Sequence, residues 1–277
     1  MEETLEETRE DSNKIITFSK YSLWRLLAYF IIYSIMGLII ETIFAAISYG
    51  DIESRKSMLY GPFSSIYGLG AVFMILALQY FKKNKITLFL GGFLVGSILE
   101  YLVSFVADKW LHVQWWNYSY MPFNIDGRIC LAFSVLWGIL AVLLMLSVNP
   151  RVDRMIDFFN RKIGLKIVKI IIVFISVFMV LDILVTQFAL SIITIRLANE
   201  YNLELRYPKN SVSATLYKNE EIKNIADRVL TNKKILMTFP NLKVIKNDGE
   251  VILVRDILTD INPYYYKLNI SPIDKTI

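Results

Sequence analysis

The chain of 277 residues has one cysteine, Cys130, and one histidine, His112. A single cysteine excludes an intrachain disulfide and a cysteine-based metal site. A single histidine excludes two-histidine metal motifs, and no usual serine hydrolase triad is present. There is no G-x-x-x-x-G-K-[ST] phosphate loop, so the chain cannot hydrolyse ATP by that route. Nor is there a basic patch with interleaved aromatics, so the net charge of +5 is better assigned to loops than to nucleic-acid binding. These absences point away from an enzyme and call for no cofactor or metal. Charged residues are scarce too, at 20% of the sequence.

Hydrophobic residues, by contrast, make up 55% of the chain, too many for a soluble protein. Five stretches, near 23–47, 61–81, 86–108, 128–148 and 168–195, are long enough to cross a hydrocarbon core of about 30 Å. Each must be helical, because backbone groups in lipid find no water to bind. The expected fold class is an all-α membrane protein with about five transmembrane helices and a small α+β tail. Residues 1–22 form an acidic N-terminal tail, 23–195 the membrane domain and 196–277 a polar C-terminal domain. The first span is too long for a cleavable signal peptide, contains Glu41, and follows an acidic segment rather than a basic one.

Basic residues in short loops set the expected orientation. Lys82, Lys83 and Lys85 lie between the second and third spans, and Arg151, Arg154, Arg161, Lys162 and Lys166 between the fourth and fifth. The opposite loops carry only Arg55, Lys56 and Lys109, with Arg128 at an edge. The N-terminus is therefore expected in the cytoplasm and the C-terminal tail outside. That tail holds 13 Lys or Arg against 10 Asp or Glu, too polar for a further span. Asn219 before Glu220 and Glu221 predicts a capped helix through about Leu230. Leu242–Ile245, the turn residues Asn247, Asp248 and Gly249, and Val251–Ile257 predict a β-hairpin.

The most informative charges are Glu41 and Glu100, each inside an apolar stretch and each preceded by a glycine four residues earlier, in G-L-I-I-E and G-S-I-L-E. A carboxylate in hydrocarbon costs about 2.5 to 3.5 kcal/mol at a helix centre, so it usually faces a partner, a cavity or a pathway. The span after Glu41 contains Y-G-L-G-A-V from Tyr67, and the one after Glu100 contains W-G-I-L-A-V from Trp137. This predicts two repeated helix pairs plus a fifth helix, as in transporters with parallel repeats. Glycines among apolar residues also serve close helix packing without any repeat.

Between the third and fourth spans, Trp110, Trp115, Trp116, Tyr118 and Tyr120 read as an interfacial aromatic belt. Arg128, at the start of the fourth span, is expected to pair with Glu100 or Glu41 through its two-pronged guanidinium. The candidate polar site, binding or structural, is then Glu41, Tyr67, Glu100, Asn124, Arg128 and Asp182. Asp182 adds a third intramembrane acid, whose alternative role is a hydrogen bond to a neighbouring Ser or Thr.

G-P-F-S-S-I-Y-G from Gly61, E-Y-L-V-S from Glu100, and W-W-N-Y-S followed by F-N-I-D-G-R-I-C-L-A-F-S-V-L-W-G through Gly138 resemble the CmpB-like ABC-transporter type IV family of bacterial permeases. The resemblance spans the first through fourth membrane stretches and departs at Asn117, where W-W-D-Y-S is expected. It implies a multi-pass protein of the bacterial inner membrane. Any ATPase would be a separate subunit, coupled through the loop from Arg151 to Lys166. In that loop Met155, Ile156, Phe158, Phe159 and Ile163 alternate with Arg and Lys at helical spacing, which favours a helix lying in the membrane interface. The expected function is a transporter-like permease component in contact with membrane lipid. The alternatives are a non-transporting scaffold or regulator, and a membrane enzyme acting on a lipid or cell-envelope substrate.

Overall fold

The computed structural model describes residues 21–82, 84–111, 113–114, 116–206 and 211–267. The expectations for the acidic tail before Tyr21, and for Lys83, His112 and Trp115, lie outside these residues. Four helical runs are long and apolar enough to cross a membrane: Leu23–Ser48, Lys85–Trp110, Leu131–Ile163 and Leu165–Glu200. The remaining expected stretch, 61–81, holds only a shorter apolar helix, Ser65–Leu78. The first elements of the chain are α1 (Leu23–Tyr49), β1 (Asp51–Glu53), α2 (Ser65–Leu78) and α3 (Lys85–Val106), which runs on into a π-helical turn, Ala107–Leu111.

The 14 residues of α2 reach only about 21 Å at 1.5 Å per residue. The reason is local: Gly61 sits at φ +69, outside the helical region, and the helix begins only at Ser65. The segment ahead of α2 is nonetheless buried, with Met58 0%, Leu59 3% and Phe63 7% exposed. Non-helical backbone at that depth must find acceptors for its N–H groups. They come from the last long helix, where Thr186 Oγ1 accepts from Leu59 N at 2.9 Å and both carboxylate oxygens of Asp182 accept from Tyr60 N at 3.1 Å. Asp182 thus anchors a loop.

The chain continues through β2 (Val113–Gln114), the hairpin β3 (Asn124–Ile125) and β4 (Ile129–Cys130), and α4 (Leu131–Leu143). A π-helical turn, Leu144–Val148, leads into the amphipathic α5 (Asn149–Ile163), and α6 (Leu165–Glu200) follows. α5 buries Val152 and Ile156 while exposing Met155, Phe158 and Phe159. It is tied to the start of α1 by Arg25, whose Nη2 lies 3.0 Å from Asp153 and 3.1 Å from Asp157. Tyr29 hydrogen-bonds Asp153, and Tyr33 donates to Asn149 Oδ1 at 3.0 Å.

The remaining elements are α7 (Val212–Tyr217), α8 (Glu220–Val229), α9 (Asn232–Thr238), β5 (Lys243–Ile245), β6 (Val251–Leu253), α10 (Val254–Ile257) and β7 (Tyr264–Lys267). Asn219 caps α8 as expected, accepting from Glu221 N and Ile222 N. The β5–β6 hairpin also forms, but its second strand is shorter than expected because Val254–Ile257 turns helical. α6 runs unbroken to Glu200, and its stretch from Ala189 to Leu197 is buried with Ile235, Leu236, Leu242, Val244 and Val254 in a second core. The first core lies among α1 to α6. The C-terminal elements are also woven into the membrane domain, since β7 pairs antiparallel with β1 and β5 pairs antiparallel with β2.

Candidate functional site

The two glutamate-bearing helices meet their partners through matching contacts. On α1, Gly37 faces Tyr67 of α2 so closely that an added Cβ would lie 2.2 Å from the Tyr67 Cβ. On α3, Gly96 faces Trp137 of α4 in the same way, at 2.4 Å. One residue further on, Gly68 packs against the Phe30 carbonyl, and its counterpart Gly138 packs against the Phe89 carbonyl. Phe30, Gly37 and Glu41 align with Phe89, Gly96 and Glu100 in a single register, and Tyr67–Gly68 aligns with Trp137–Gly138. The two helix pairs are repeats in packing as well as in sequence.

This packing sets the chemistry one turn beyond each glycine. A residue at i+4 lies on the same helix face, so the aromatic ring seated on the glycine reaches the glutamate. Trp137 Nε1 donates to Glu100 Oε2 at 3.0 Å, and the Tyr67 hydroxyl hydrogen-bonds the Glu41 carboxyl. The two halves adjoin, since Met74 of α2 packs against Gly96 of α3, its Cε 3.1 Å from where a Cβ would lie. Glu100 is 8% exposed, and its other oxygen accepts from the Tyr118 hydroxyl at 2.9 Å. The Arg55 guanidinium is paired through Nη2 with Glu53 Oε1 at 2.7 Å. Among the described residues no lysine or arginine forms an ion pair with Glu41 or Glu100.

Tyr118 is delivered by a folded loop rather than by an interfacial belt. Asp126 and Gly127, at φ +53 and +63, form the centre of a tight turn closed by Arg128 N donating to Ile125 O at 2.9 Å. Asp-Gly is the preferred pair where both central residues need positive φ. Asn124 holds this turn, accepting from Gly127 N at 3.1 Å and donating to Met121 O at 2.8 Å. The preceding segment wraps the turn. Tyr118 N donates to Gly127 O at 2.8 Å, Trp116 Nε1 donates to Arg128 O at 3.0 Å, and the Tyr118 ring stacks on Phe133 at 4.7 Å. Trp110 and Tyr120 do stay exposed, at 73% and 60%.

Arg128 does not pair with either glutamate. Its Nη2 lies 2.6 Å from Asp108 and its Nη1 donates to Ser104 at 3.1 Å, while the guanidinium lies over the rings of Tyr101 and Phe105. The π-helical turn at Ala107–Leu111 places Asp108 where the fork can reach it. With no basic partner there, Glu100 takes neutral donors instead. Of the expected set, the structure therefore brings together Glu41, Tyr67 and Glu100, adds Tyr118 and Trp137, and places Asn124, Arg128 and Asp182 in the supporting framework. Trp137 was visible in the W-G-I-L-A-V repeat, aligned with Tyr67.

No curated protein and no solved structure matches the chain. The family described as Putative ABC-transporter type IV matches residues 28–187, which take in both helix pairs and Asp182. With that match over more than half of its length and with four helices fit to span a membrane, the chain belongs to the Putative ABC-transporter type IV family of multi-pass membrane proteins.

Proposed function

We propose that the chain is the membrane-embedded permease component of a transporter and that its solute-handling site is the duplicated aromatic–carboxylate pair, Tyr67–Glu41 and Trp137–Glu100, with Tyr118. The observation that supports this most is the absence of an ion-pair partner for either glutamate among the described residues. Two intramembrane carboxylates held by neutral hydroxyl and indole donors favour a cation, a proton or a basic solute. ATP hydrolysis is assigned to a separate subunit, and no catalytic chemistry to this chain. The family supports a place in the bacterial inner membrane, and the basic loops favour an N-terminus in the cytoplasm and the tail outside.

Glu41→Gln and Glu100→Gln test the reading. An amide is nearly the same size but cannot carry charge; at position 100 its oxygen can still accept from Trp137 Nε1 while its NH2 donates to the Tyr118 hydroxyl oxygen, reversing that one bond. Both variants should stay folded at close to wild-type yield and lose the cellular phenotype. Equal activity per folded molecule in the wild type and both variants refutes a functional carboxylate site. A second reading, a non-transporting scaffold, draws on one observation: both oxygens of Glu100 already have donors, as a purely structural residue would. That reading expects the yield to fall first and activity only in proportion.

A further inference from the structure

The lipid-facing flank of α6 has a definite end. Exposed apolar side chains run along it from Leu165 through Phe174, Leu181 and Leu184 to Val185, after which no large apolar residue of the helix is exposed until Tyr201. From Leu165 to Val185 the helix rises about 30 Å at 1.5 Å per residue, the thickness of a hydrocarbon core. Val185 therefore marks a membrane–water boundary.

At that boundary an apolar groove of about 320 Å³ opens between α6 and the amphipathic α8. Its lining includes Val185, Phe188, Ile222, Ile225 and Val229, with Tyr60 at its edge. Ile225 is 63% exposed and Val229 44%, large values for side chains on the apolar face of a helix that packs against a buried core. Ile222, Ile225 and Val229 recur at helical spacing, so they form one face. The volume is at the small end of ligand-pocket sizes, enough for one chain segment rather than a compact solute. The edge is of a different character. Lys234 of α9 donates to the Tyr60 hydroxyl at 2.9 Å, and its Nζ lies 4.2 Å from the ring centroid. No described carboxylate forms an ion pair with it. An aromatic residue and a lysine at this level are what headgroup contact requires.

We propose that the α6–α8 groove seats an acyl chain of a bilayer phospholipid, with the lipid phosphate at Lys234, so that the C-terminal domain rests on the membrane surface through α8. The groove is continuous with the lipid-exposed flank of α6, which is why a lipid rather than a protein helix is the assigned occupant. This inference needs only that α6 spans a bilayer. It stands apart from the permease reading.

The test uses the full chain in vesicles of phosphatidylcholine and phosphatidylglycerol, with a trace of phosphatidylglycerol bearing a diazirine on one acyl chain. After illumination, adducts should map to the α8 peptide containing Ile222, Ile225 and Val229 as well as to the α6 flank. A carboxylate in the groove should exclude the chain, so Ile225→Asp should cut α8 adducts about tenfold while α6 adducts persist as the internal control for folding. Lys234→Gln should lower α8 labelling from phosphatidylglycerol toward the level obtained with the same diazirine on phosphatidylcholine. Adducts confined to α6 in the wild-type chain overturn the proposal.

Discussion

Arg128→Leu distinguishes the ion pair seen in the structure from the one the sequence favours. The side chains of Arg128 and Asp108 are each 15% exposed, so removing the guanidinium leaves the Asp108 carboxylate largely cut off from water. Breaking a buried pair from one side costs about 3 to 5 kcal/mol. Arg206, 3.7 Å from the other Asp108 oxygen and 38% exposed, offsets part of that. The loss should therefore be about 3 kcal/mol, at the low end of the range. That corresponds to roughly a hundredfold change in the folded-to-unfolded ratio. The assay is the fraction of purified protein that stays monodisperse after heating in detergent, read as a midpoint temperature. Arg128→Leu should lower the midpoint by several degrees, and Arg128→Leu/Asp108→Asn should recover much of the loss, because an amide has no charge to strand. Arg128→Leu/Glu100→Gln should recover none. If the glutamine double variant is rescued and the asparagine one is not, Arg128 serves Glu100 after all and the geometry around the π-helical turn is wrong.

Helix contact at the repeats can be tested at Gly96, where an added Cβ meets Trp137: Gly96→Ala should destabilise by about 1 to 3 kcal/mol through overpacking. Gly70 has nothing within 4 Å of such a Cβ, so Gly70→Ala should be neutral or stabilise by up to about 1 kcal/mol, and equal costs at the two sites in the same thermal assay would refute the packing argument. In a Cys130→Ser background, Lys85→Cys should be shielded from an impermeant thiol reagent in intact cells and Glu221→Cys should react; labelling of position 221 only after lysis refutes the orientation. Lys243, in the C-terminal domain, has its pKa lowered from 10.5 by burial and by the neighbouring Arg255. The unfolded chain then binds the extra proton in the window below 10.5, so stability should rise with pH there. Lys243→Met should remove that rise, and an unchanged pH profile of unfolding would refute it.

How much of this was legible in the sequence depended on whether the signal was local. The spans follow from apolar runs, and the α8 cap follows from Asn219 and two acids. The repeat showed as two short motifs, because a glycine and a glutamate four apart have to sit on one helix face. What stayed hidden was partner choice between distant residues. By sequence Arg128 was expected at Glu100 or Glu41, and the π-helical turn brings Asp108 to it instead. The shortened α2 was signalled by Gly61, but hydropathy averaged over the stretch hides a single left-handed residue. Asp182 read as a candidate site acid because nothing in the sequence tells that the backbone of Leu59 and Tyr60 lies against α6.

The C-terminal domain has a consequence for the site that its polarity alone conceals. Each glutamate-bearing helix is followed directly by a short strand, α1 by β1 and α3, after its π-helical turn, by β2. β7 pairs with the first and β5 with the second, so one domain adds a strand to the equivalent exit of both repeats. That domain shares its core with the end of α6, whose Asp182 and Thr186 hold the loop leading into α2 and Tyr67. The aromatic residues and the carboxylates are thus fixed from the same side by one body. Any rearrangement that separates Glu41 from Glu100 must either carry the C-terminal domain with one repeat or break a strand pairing to the other. Short strand pairs of this kind have few hydrogen bonds to lose, which makes them the natural place for such a separation to occur.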